Sequence, residues 1–164
     1  YERCVTGNQG PPRLPFNHDS ESQIVQTPGY VVLLMQSNND ARIIPLDGRP
    51  QLPQNVGQWL GDARGRWEGD TLVVDVTHFN DKTWFDMAGN FHSDALHVVE
   101  RDTPISPDHI TYEVTIEDPK VFTRPWKMSM PLYRRMEKNA QLLEFQCVPF
   151  SEELLYGHLK KGAS

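Results

Sequence analysis

Apolar residues that recur at every second position, in short segments separated by turn residues, restrict this chain more than any other feature does. Side chains alternate across a strand, so this pattern gives each segment one buried and one outward face. In residues 71–79, Leu72, Val74, Val76 and His78 share one face, and Val73, Asp75, Thr77 and Phe79 the other. Leu96, Val98 and Glu100 likewise oppose His97, Val99 and Arg101. The pattern returns in Ile110, Tyr112, Val114 and Ile116, and again in Trp126, Met128, Met130 and Leu132. Thirteen prolines and eleven glycines supply the turns that short strands need.

Read along the chain, residues 1–23 form a proline-rich extended arm, residues 24–150 a β domain, and residues 151–164 a short C-terminal helix and tail. The helix starts at Ser151 as N-cap, with Glu152 and Glu153 in its first turn. Two strands flank a Pro28–Gly29 turn, and Ser37–Asp40 returns a third. Residues 49–64 read as loop, the residues around Trp67 as a short strand, Glu68–Asp70 as a tight turn, and residues 141–150 as a closing strand. Eight or nine short strands with almost no helix predict an all-β fold. Local hairpins favour an antiparallel up-and-down barrel of lipocalin type, with a β-sandwich as the alternative. Leu72, Val74, Val76, Val98, Ile110, Tyr112, Val114, Ile116, Met128 and Leu143 are the expected buried positions.

Composition excludes some functions. The net charge is −6 and the pI about 5.5. The basic pairs Arg134–Arg135 and Lys160–Lys161 are too short for the stripe a nucleic-acid binder carries. The longest apolar run, Tyr30 to Met35, is strand-sized, so no transmembrane helix is expected. Cys4 and Cys147 lie near opposite ends. They read as two buried thiols or as one disulfide, and no Cys/His spacing suggests zinc.

The polar residues that could carry chemistry concentrate around the sixteen-residue connection Asn80–Ala95. Loops of that length inside a small β domain are more often functional than not. His92, Asp94, His97 and Glu100 form a candidate acid–base set, and His92, Asp94 and His97 a candidate metal set. The plainer alternative makes His92 and His97 structural. Glu100 shares a face with Leu96 and Val98, so it should be buried, with Arg66, Arg124 or His78 as partner. Asp75 and Thr77 break an apolar face, and with Trp67, Asp81, Trp84 and Arg101 they are candidate ligand contacts. His92, Glu100 and Trp84 are expected to line one pocket roofed by the Asn80–Ala95 loop. Nucleophile, phosphate-loop, dinucleotide and zinc-protease motifs are missing, and no cofactor is indicated.

The segments GRWEGDTLVVDV, NDKTWFDMAGNFHSDALHVVER and TYEVTIEDPKVFTRPW, together with IVQTPGYVVLL and IPLDGRP, resemble a large family of exported proteins of soil bacteria, many from Acidobacteria-like and proteobacterial genomes. The resemblance runs over nearly the whole chain and carries no assigned activity. It implies a signal peptide and a further segment ahead of Tyr1, so the chain is expected to be a mature or trimmed form. It also implies a periplasmic or secreted location. Export in turn favours the Cys4–Cys147 disulfide, which closes a loop of over a hundred residues.

Three functions fit these residues. The first is an exported barrel that binds a small organic ligand in its interior or mouth, with the Asn80–Ala95 loop as a lid. The second is an enzyme of lyase, isomerase or hydrolase type, using acid–base or metal chemistry at His92, Asp94, His97 and Glu100. The third is an assembly subunit that offers its arm, and the helix bearing Leu154, Leu155 and Leu159, to a protein partner or a second copy.

Overall fold

The computed structural model describes residues 10–15, 21–86, 88–144 and 150–159. Among these residues eight strands form: β1 (Ser22–Thr27), β2 (Tyr30–Met35), β3 (Ala41–Pro45), β4 (Asp62–Glu68), β5 (Thr71–Thr77), β6 (His97–Ser106), β7 (His109–Glu117) and β8 (Trp126–Tyr133). They pair, all antiparallel, as a three-stranded sheet β1-β2-β3 and a five-stranded sheet β4-β5-β6-β7-β8. The all-β expectation holds. Among the described residues no pairing joins the sheets, so the strands do not close into a barrel.

Register shows why the large sheet has one buried face. Ala63, Val76, Val98, Ile116 and Trp126 lie side by side on neighbouring strands, and the next inward row is Gly65, Val74, Glu100, Val114 and Met128. These apolar side chains join Val31, Leu33 and Ile44 of the small sheet in a single core. Burying each such side chain contributes about 1.5–3 kcal/mol. Seven of the ten expected core positions are fully buried, and Ile110 and Met128 are half-buried. Leu143 is the exception at 68% exposed, because residues 141–144 form no strand.

Two further expectations fail for local reasons. His78 adopts φ 61°, which ends the alternation, and Phe79 then enters the core rather than the outer face. Strand β4 begins at Asp62, inside the stretch expected to be loop. The helix α1 (Ser151–Tyr156) forms, with Leu154 and Leu155 exposed. Cys4 and Cys147 lie outside the described residues, and with them the expected disulfide.

Candidate ligand groove

The two sheets touch where β4 has no side chain. A Cβ on Gly65 would stand 2.6 Å from Leu46 Cδ2 and 2.7 Å from Ile44 Cγ2, so glycine here lets β3 lie on β4. Away from this contact a groove of about 550 Å³ opens, lined by residues 40–43, Leu52 and residues 58–63. That volume suits a small organic ligand. Its walls carry exposed apolar side chains: Ile43 is 62%, Trp59 52% and Leu52 38% exposed.

The loop framing the groove is tied down. The Asp62 carboxylate accepts from Leu52 N (2.8 Å) and from Arg64 Nη1 (2.5 Å). Arg64 also donates to the Pro50 carbonyl at 2.7 Å. Gln58 N donates to His78 O at 2.7 Å, and Asn80 N to Gln58 O at 3.0 Å.

Asp40 sits at one end of the groove, and its Oδ2 is buried with no hydrogen-bond partner among the described residues. Burial pushes its pKa up, because the charged form loses water. The ionised state is therefore the destabilised one, and stability recovers as acid protonates the group. Asp40→Asn should accordingly stabilise the protein at pH 7 by up to about 1 kcal/mol. The advantage should vanish as the pH drops below the ordinary value of 3.8, which urea unfolding at pH 7 and pH 3.5 would measure.

The interior holds a buried ion cluster. Glu100, 1% exposed, accepts a bidentate pair from Arg42, with Nη1 at 3.1 Å, and the Tyr112 hydroxyl at 2.8 Å. Arg13, from the N-terminal arm, lies 4.1 Å from the Tyr112 ring centroid and bonds Asp102, while its backbone N donates to Tyr112 Oη at 3.0 Å. Burial raises the Glu100 pKa, but Arg42, Arg13 and Tyr112 together outweigh it and hold Glu100 below the ordinary carboxylate range. At Asp102 burial wins over Arg13, and its pKa is raised. Burial and the Glu100 charge keep the Tyr112 hydroxyl protonated as a donor. Two arginines and two carboxylates, mutually paired, make this a structural lock between the arm, β3, β6 and β7. Glu100 is buried as its face predicts, but its partners are Arg42, Arg13 and Tyr112, not Arg66, Arg124 or His78.

The candidate site residues do not converge. His92 is buried, with Nε2 at 2.6 Å from Thr83 Oγ1, Nδ1 at 3.0 Å from Ser93 O, and its ring edge-on to Phe79. It shares a cleft with Trp84, Trp59 and Pro11, but Glu100 is not in it, and about 10 Å³ leaves room for at most one water. Asp94 pairs with Lys120 on the surface at 2.5 Å, and His97 with Asp75 on the outer face at 3.1 Å. His92, Asp94 and His97 therefore serve three different partners. Among the described residues no three His, Cys, Asp or Glu side chains gather as a metal site. Nor does the loop hang free as a lid, since Ser93 N and Oγ are held by buried Asp118 at 2.6 and 2.7 Å.

The remaining ligand candidates lie apart from the groove. Asp75 also accepts from Gln51 at 3.2 Å, and Thr77 Oγ1 bonds His78 Nδ1 at 2.6 Å. Arg101 pairs with Glu68 at 2.8 Å, while Trp67, Trp84 and Asp81 are exposed. The groove residues Asp40, Ile43 and Leu52 escaped the sequence reading as ligand contacts, although Ile43 and Ile44, adjacent in a strand, point to opposite faces. No family model, curated protein or solved structure matches this chain.

Proposed function

We propose that this is an exported protein that binds a small organic ligand in the groove between β3 and β4. Binding then occurs at the mouth of an open, two-sheet relative of the lipocalin-like barrel rather than in a closed interior. The observation that carries this reading is the ligand-sized groove itself, which sets the half-buried Asp40 beside the exposed apolar walls of Ile43, Leu52 and Trp59. A cationic ligand that sets its charge beside Asp40 while covering Trp59 and Ile43 gains that attraction and removes apolar surface from water. An aromatic or aliphatic ammonium has that chemistry. The packed core and the paired Arg42–Glu100 cluster favour the mouth over the interior.

Phenethylamine and the size-matched phenylpropionate are suitable probes. The amine should quench or shift tryptophan emission saturably, and the carboxylate should not. Asp40→Asn should weaken the amine by about tenfold, the loss of one charge-assisted hydrogen bond. Equal binding of both probes, or no effect of Asp40→Asn, would overturn the reading.

A further inference from the structure

Strand β3 is the last strand of its sheet, and β4 the first of the other. The groove lies between these two edges. Which backbone groups of β3 face it follows from alternation. Met35 N donates to Asp40 O at 2.8 Å, and Leu46 N to Gly29 O at 2.9 Å, so the even-numbered residues of this stretch point their backbone groups at β2. The odd-numbered residues Ala41 and Ile43 therefore turn N–H and C=O towards the free edge, and among the described residues no strand pairs with them there. At the far end Pro45 has no N–H to offer, and Ile44 and Leu46 close over Gly65. The exposed edge is thus confined to the open part of the groove.

An unpaired edge is a template for another strand. We infer that the groove's ligand is an extended peptide segment, added as a strand to the β3 edge, with a basic side chain reaching Asp40. The inference rests on the groove being the ligand site and names the class of ligand that it takes. A strand there lies ~4.8 Å from β3 and exchanges hydrogen bonds with Ala41 and Ile43. Its side chains alternate, so residues two apart share a face. One face packs an apolar side chain against Ile43 or Trp59, and a lysine or arginine sets its charge beside the Asp40 carboxylate. The backbone pairing gives affinity and the two side-chain contacts give selectivity.

The full chain is titrated calorimetrically with a capped pentapeptide of alternating valine and lysine, with its fully N-methylated analogue, and with a version carrying glutamate for lysine. The parent peptide should bind, and N-methylation should weaken it by about tenfold or more, because every donor to the edge is removed while the side chains remain. The glutamate version should bind more weakly on the wild type, and Asp40→Asn should reduce that preference, which separates Asp40 from the net negative charge of the whole chain. Ile43→Pro removes one edge donor that β2 does not use, so it should weaken the peptide by about tenfold. Ile43→Thr keeps the N–H and should retain the peptide. Amide exchange at Ala41 and Ile43 should be fast alone and slow when the peptide is bound. Equal affinity of the N-methylated peptide overturns the inference without needing any variant. So does protection of both amides in the free protein, which would mean the chain's own residues already occupy the edge. Binding of phenethylamine without binding of the peptide removes the strand and keeps the groove. Failure of both removes the groove as well.

Discussion

Glu100→Ala is expected to cost about 3–5 kcal/mol, the range for breaking a buried ion pair by removing one partner. Arg42 would lose its bidentate acceptor at a side chain only 3% exposed, and Tyr112 would lose the acceptor of its hydroxyl. For a domain of this size, with about 5–15 kcal/mol in total, that is a large fraction. The melting temperature should fall by roughly 6–20 °C. The cause is testable by a second change. Arg42→Met combined with Glu100→Leu removes both charges and keeps apolar volume, so it should recover most of the loss. If the double variant is as unstable as Glu100→Ala in urea unfolding, shape rather than charge explains the damage.

Gly61→Ala should be nearly as severe, by a different route. Gly61 has φ 69°, and a Cβ there would stand 2.6 Å from Val76 Cγ1 and 2.9 Å from the Thr77 carbonyl oxygen. The left-handed conformation costs about 1–2 kcal/mol for alanine, and overpacking adds about 1–3 kcal/mol. Gly48→Ala is the control. Its φ is 69° too, but nothing lies within 4 Å of its Cβ position, so only the smaller conformational cost should appear in thermal melts.

The strand pattern was legible in the sequence because seven of the eight strands alternate apolar and polar residues, or carry β-branched residues, between clear turns. Strand β4 was legible only around Trp67, its start at Asp62 reading as loop, and the reason is its packing. Ala63 and Gly65 stand where an apolar alternation would have shown, and Gly65 is bare because Ile44 and Leu46 of the other sheet fill the space its Cβ would take. The failure to close has the same origin: a side-chain contact at Gly65 joins the sheets where a barrel would have a hydrogen-bonded ladder.

Glu100 was readable as a buried carboxylate by its face, but its partners required long-range information. Arg42 gives the same signal within β3, since it alternates onto the face of buried Ile44. Arg13 gives none, because it sits in a proline-rich arm with no periodicity. The groove was illegible for the same reason, since its walls come from an edge strand and from a loop that only the fold brings together. The plainer reading of His92, as a structural residue, fits its geometry, since its two ring nitrogens lie at hydrogen-bond distance from Thr83 and Ser93.

The central claim is that ligand chemistry belongs to the groove between β3 and β4 and not to the core or the Asn80–Ala95 loop. The most direct measurement is two-dimensional amide and indole NMR of the full chain during titration with phenethylamine. The account predicts saturable shifts at Asp40, Ala41, Ile43, the Trp59 indole and Gly61–Ala63, with Val98, Tyr112 and Val114 unmoved. Shifts centred on Thr83, His92 and Ser93, or on the strands around Glu100, would contradict it.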